Sequence, residues 1–207
     1  SPSSTKDLPE GIYQIVNTEE SLDKIISQLW TVESFIIEVE STDEQAMAAE
    51  PVGIAVSPAS GRAFYIPLAH RGLNQPEQLP LGQVIAKLKP LLESSNIGKI
   101  AHNGKYSMTV LANHGIELEN LSFDTMIAAY LLGEKNLGLK ALAFNKLGIE
   151  MTPIIELTGT RKKQSSIAML EIRQASDYAC TNADVTWRLR DSLEEELNKQ
   201  GLWRLFS

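Results

Sequence analysis

The sequence predicts an α/β fold: a mixed sheet of about five strands with flanking helices and a helical C-terminal half. Three observations carry that expectation. Short β-rich runs alternate with amphipathic stretches up to about residue 113, two of those runs are joined by a turn signal, and from Asp124 onward the apolar spacing is helical.

Gly11 to Val16 reads as a strand, and Asn17 with Glu20 three residues later reads as a capping box that opens a helix. Leu22, Ile25, Ile26, Leu29 and Trp30 then fall on one helical face. Phe35 to Glu40, Val52 to Ser57 and Arg62 to Leu68 are short β-rich runs; Pro58-Ala59-Ser60-Gly61 joins the last two, so the set reads as an antiparallel meander. A helix around Leu81 to Glu93, a strand Gly98 to His102 and a helix from about Gly104 to Asn113, closed by Gly115, extend the pattern. Asp124 caps Thr125 to Leu132, and Leu139 to Leu147 stops at Gly148. A long helix runs from Glu171 or Gln174 toward Lys199 and ends at Gly201. Residues 1–10 read as a linker or boundary segment, and 11–207 as a single domain.

Composition limits the function classes. A chain of 207 residues suits one domain, which buries roughly 70% of the surface its unfolded form exposes. The hydrophobic share of 43% and charged share of 22% are ordinary for a globular protein. No apolar run approaches the roughly 18 residues of a membrane span, and Ser1 to Lys6 lacks the apolar stretch of a signal peptide, which together predict a soluble, cytoplasmic protein. The single Cys180 excludes an intrachain disulfide and a Cys-rich zinc site, so any metal must sit on oxygen. The net charge of −7 counts against a surface devoted to gripping phosphates. Arg161-Lys162-Lys163 is the local exception and predicts an exposed basic loop.

Three widely spaced segments carry chemistry. In Phe35-Ile36-Ile37-Glu38-Val39-Glu40-Ser41, two carboxylates two residues apart on a strand point to one side of the sheet. Alone, such a pair is more often a solvated sheet face than a metal site. Ile100-Ala101-His102-Asn103-Gly104-Lys105-Tyr106-Ser107 spans a strand-to-helix junction, where Asn103 by default is an N-cap. Asp177-Tyr178-Ala179-Cys180-Thr181-Asn182-Ala183-Asp184 lies in the long helix, where Tyr178 can equally be a core aromatic.

Together with Phe123 to Leu132 and Leu157-Thr158-Gly159-Thr160, these segments resemble the proofreading 3′–5′ exonuclease domain of bacterial DNA polymerase I, of the DEDD superfamily, over nearly the whole chain. The resemblance implies a ribonuclease H-like exonuclease fold. It also implies four carboxylates holding two divalent cations, Mg²⁺ or Mn²⁺, and a Tyr that orients the attacking water. This sequence keeps that family's Glu as Glu40 and its Tyr as Tyr178, with Asn103 also in place. Glu38, Ser107 and Asn182 stand where Asp is expected, so two carboxylates remain of four.

The resemblance with these departures predicts a vestigial 3′–5′ exonuclease domain, without a metal pair, that serves as a structural and DNA-facing module in replication and repair. A weak single cation at Glu38 and Glu40, weak DNA binding through Arg161, Lys162 and Lys163, a monomeric state, and a polymerase domain in the same parent chain complete the expectation. The segment Leu202 to Ser207 falls about where the family's polymerase portion begins. The alternative is a working exonuclease with an altered set, Glu38, Glu40 and Asp184. Asp184 is two residues from Asn182, roughly 200° round a helix, and is expected to point away. An RNA-processing nuclease of the wider superfamily is a third reading, against which the Leu157 to Thr160 and Tyr178 segments count.

Overall fold

The structure, a computed structural model, describes residues 11–72, 75–159 and 166–206. Among them six strands form one sheet: β1 (Ile12–Ile15), β2 (Ser34–Ser41), β3 (Pro51–Ala59), β4 (Arg62–Pro67), β5 (Gly98–Ala101) and β6 (Leu121–Asp124), in the order β1-β4-β3-β2-β5-β6. β2, β3 and β4 are the expected antiparallel meander, turning at Ser60-Gly61 where Gly61 takes φ +78°. β5 adds parallel to β2, β6 parallel to β5, and β1 parallel to β4. The count expected was about five. β6 is the addition, and it is only four residues long because its last residue, Asp124, is already the cap of the next helix.

Eight α-helices are described: α1 (Glu19–Leu29), α2 (Leu81–Leu92), α3 (Gly104–Ala112), α4 (Thr125–Leu131), α5 (Leu139–Leu142), α6 (Ile154–Thr158), α7 (Ile172–Lys199) and α8 (Trp203–Phe206). The α1 cap is Thr18, not Asn17. Thr18 is extended and accepts from the Ser21 backbone at 3.2 Å, while the Ser21 hydroxyl returns to the Thr18 backbone at 3.2 Å. Asn17 instead reaches the Glu77 carbonyl at 3.4 Å. The helix expected over 139–147 divides into α5 and a π-helical turn (Ala143–Leu147), which ends as expected at left-handed Gly148. α7 starts at Ile172 without a side-chain cap of its own; the Ile172 amide is satisfied by Gln75 Oε1 at 3.2 Å.

Strand alternation sorts the core into two layers. Phe35, Ile37 and Val39, with Ile54, Val56 and Phe64, pack against α1 and α2 through Leu22, Leu29, Val84 and Leu88. Ile36, Ala55, Tyr65 and Ile100 face the other way, onto α7. Ala175, Ala179 and Ala183 recur every four residues on the buried side of α7, and such small side chains let a helix lie close to a sheet. The even-numbered face of β2 and the buried face of α7 therefore confront one another. That confrontation positions the site.

Candidate active site

Glu38 and Glu40 share the face of β2 that carries Ile36, and both are half-buried. Burial pushes the Glu38 carboxyl up to about 7, against a partial pull downward from a hydrogen bond with Asn182. Glu40 is raised well above the usual range by burial and then by the charge of Glu38. One of its oxygens, Oε1, is buried without a hydrogen-bond partner.

From α7, Tyr178 and Asn182 lie four residues apart and so project on one face. The Asn182 amide donates to Glu38 Oε1 at 2.9 Å. Burial, followed by the charge of Glu40, raises the Tyr178 hydroxyl. Ser107 is buried on α3, and α3 packs against β2. A cleft of about 410 Å³ brings together Glu40, Ser41, Asn103, Tyr106, Thr158 and Tyr178. Tyr106 has no role in the sequence analysis, yet its hydroxyl ties to Ser41 Oγ and to the Asp43 carbonyl at the rim of that cleft. Its only sequence signal was membership of the strand-to-helix segment.

Asp124 and Asp184, outside the cleft, have structural duties. Asn103 opens α3 but does not cap it through its side chain; it sits in the left-handed region at φ 58°. Asp124 supplies the cap. Its Oδ2 accepts from the Gly104 amide at 2.7 Å and its Oδ1 from the Asn103 amide at 3.2 Å, while Oδ1 also takes the Met126 and Ile127 amides at the start of α4. Asp184 turns away from Glu38, as its helical position predicts. It is fully buried, and Oδ1 accepts from the Gly61 amide at 2.7 Å, Oδ2 accepts from Tyr13 Oη at 3.0 Å, and Arg188 reaches both oxygens at 3.2 Å. Among the described residues no group of three or more His, Cys, Asp or Glu side chains is spaced to hold a metal ion. The basic residues Arg161, Lys162 and Lys163 lie outside the described residues. No helix among the described residues is long and apolar enough to cross a membrane.

A family described as 3′–5′ exonuclease matches residues 13–198. The chain is similar to DNA polymerase I of Chloroflexus aurantiacus, 37% identical over 188 residues that cover 90% of this chain and 20% of that one. It is also similar to DNA polymerase I of Pseudomonas aeruginosa, 33% identical over 189 residues, covering 89% and 21%. It thus spans about a fifth of the length of these curated relatives. In three dimensions it is similar to the POL domain of Pol1 from M. smegmatis in complex with DNA primer-template and dNTP (TM-score 0.71, 23% identity, 94% of this chain and 29% of that one). It is likewise similar to Escherichia coli RNase D (TM-score 0.67, 18% identity, 92% and 46%). At these identities the structural likeness establishes the ribonuclease H-like exonuclease fold and nothing finer.

Proposed function

This chain belongs to the 3′–5′ exonuclease domain family of DNA polymerase I, and from that premise we propose that it is a vestigial member that no longer cleaves DNA. The observation that carries the reading is the Asn182–Glu38 hydrogen bond. A cation approaching Glu38 at this point meets an amide N–H, a donor, in place of a second anionic oxygen. Mg²⁺ demands near-ideal oxygen coordination and dehydrates reluctantly, so an amide donor and the hydroxyl of Ser107 are poor substitutes for carboxylates. Two dications also carry four positive charges against the two carboxyls of Glu38 and Glu40. These residues do not fit a metal pair, and a weak single cation at Glu38 and Glu40 is the most they support.

The alternative of an active exonuclease using Glu38, Glu40 and Asp184 lacks support, because both Asp184 oxygens are committed to Gly61, Tyr13 and Arg188. In this reading the domain is a monomeric, cytoplasmic, DNA-facing module. It belongs to a parent polymerase acting in replication and repair, and it meets DNA weakly through Arg161, Lys162 and Lys163. The test is release of mononucleotides from 3′-labelled single-stranded DNA in Mg²⁺ or Mn²⁺. No release is expected; release that Glu40→Ala abolishes overturns the reading.

A further inference from the structure

On the face of the sheet turned away from α7, a pocket of about 200 Å³ opens between α1 and the paired strands β1 and β4. Lys24 and Gln28 enter it from α1, four residues apart and so on one helical face. Arg62 and Phe64 enter from β4, two residues apart and so on one side of the strand. Gln14 joins them from β1, where it is the register partner of Phe64. The Arg62 guanidinium lies over the Phe64 ring, 5.4 Å from its centroid, and Phe64 is itself buried in the core with Ile25. An aromatic face thus holds the guanidinium beside the pocket.

No carboxylate lines this pocket. In a chain of net charge −7, neither Lys24 nor Arg62 has an ion-pair partner among the described residues. Of the acids on α1, Glu19 and Asp23 are engaged by Lys87 of α2 at 2.8 and 2.5 Å, and Glu20 makes no pair with Lys24 although it stands four residues before it. Two cations therefore share one pocket with their charge unmatched.

We propose that this pocket binds a small phosphate dianion, free or carried as a terminal monoester. The donors decide the class. A carboxylate is saturated by the planar fork of an arginine, which presents two parallel N–H groups. Here the fork of Arg62 is joined by the ammonium of Lys24 and the side-chain amides of Gln14 and Gln28. These donors come from the helix and from both strands, a spread that suits the several oxygens of a tetrahedral anion. Size sets the limit. Pockets that enclose whole organic ligands start at roughly 300 Å³, so this one seats the phosphate and leaves any attached group outside. It lies across the sheet from Glu38 and Glu40, and its ligand does not depend on whether their cleft is active.

Titration of the 207-residue chain with inorganic phosphate at constant ionic strength tests this, followed by NMR through the Arg62 Nε–H and the Gln14 and Gln28 side-chain amides. Saturable shifts of all three signals are expected, with sodium chloride alone producing none. Arg62→Ala should weaken binding about tenfold, the scale of one lost hydrogen-bonding charged group, and Lys24→Ala should weaken it too. Both side chains are exposed, so the melting temperatures of these variants without phosphate should equal the parent's. Arg62→Lys, which keeps the charge and loses the fork, should recover part of the affinity. Lys135→Ala with Lys140→Ala removes two cations elsewhere and should change nothing. Adenosine 5′-monophosphate as a second probe separates the sources: tighter binding than phosphate marks a terminal monoester, equal or weaker binding the free ion. Shifts that persist undiminished in Arg62→Ala and Lys24→Ala, or phosphate binding that leaves Gln14 and Gln28 unmoved, overturn the proposal. So does a single-stranded oligonucleotide without terminal phosphates that moves the same signals at lower concentration, since the ligand would then be a nucleic-acid backbone.

Discussion

Asn182 and Asp184, two residues apart on α7, face opposite duties: the first donates to Glu38 on β2, and the second is locked to Gly61 at the β3–β4 turn. The helix thus keeps its seating through a residue that takes no part in the cleft. Loss of a carboxylate at 182 leaves that seating intact.

Removing Asp184 should therefore cost far more than removing Asn182. Asp184→Ala strips partners from the Gly61 amide, Tyr13 and Arg188 at a fully buried position, and a broken buried pair typically costs about 3–5 kcal/mol. Asn182→Ala should cost about 1 kcal/mol, since it frees one hydrogen bond whose partner can protonate. Urea denaturation of the two variants measures the difference; equal losses would contradict the separation of duties.

The Glu38 carboxyl sets a pH dependence with a defined sign. Its folded value near 7 lies above the ordinary 4.5, so below about pH 4.5 the group is neutral in both states and costs nothing. Between about 4.5 and 7 the unfolded chain ionises first, and stability falls as pH rises. Above 7 the full cost applies, about 2–3 kcal/mol after allowance for partial exposure. Glu38→Gln should raise the melting temperature at pH 8 and leave it nearly unchanged at pH 4.5. A uniform shift across that range would remove Glu38 as the cause.

Restoring Glu38→Asp, Ser107→Asp and Asn182→Asp together should rebuild a cation site. Like charges brought close without a cation repel, so the metal-free triple variant should melt slightly lower than the parent. Mg²⁺ or Mn²⁺ should then raise its melting temperature by preferential binding to the folded state, which adds about 2.7 kcal/mol of stability at 100 times Kd. Single reversions should respond little. A triple variant that folds and ignores both ions would mean that the backbone has shifted as well as the ligands.

Neutralising Arg161, Lys162 and Lys163 should flatten the salt dependence of single-stranded DNA binding. Each phosphate left without its cationic side chain reduces the slope by about 0.7, so three such phosphates predict a change of about 2. Binding titrations between 50 and 200 mM salt check it (a range over which the effect is large); an unchanged slope removes this segment from the DNA-facing surface.

Local signals carried much of the architecture. β2, β3 and β4 were legible from alternation and the turn between them, and the long helix from its spacing and Gly201. β6 was missed because four residues ending in Asp124 read first as a helix cap. The cap expected at Asn17 falls one residue later, at Thr18, whose extended backbone and reciprocal hydrogen bonds with Ser21 open the helix. In the site, the facing of Glu38 and Glu40 followed from strand geometry and that of Asp184 from helix geometry. The cap that Asp124 provides for α4 was legible, but its hold on Gly104, 20 residues away, and the hold of Asp184 on Gly61, 123 residues away, were not.

The cap that Asp124 shares between α3 and α4 makes two helices depend on one side chain. Neither N-terminus can fray without releasing a carboxylate that the other still needs, so their openings are thermodynamically linked. The amides of Gly104 and Met126 should consequently exchange with solvent as members of one cooperative unit, although a helix, a loop and a strand separate them along the polypeptide. The strand-to-helix junction that borders the cleft, with Asn103 held in its left-handed conformation, inherits the rigidity of that unit, and it does so through the fold's own capping and independently of any ion.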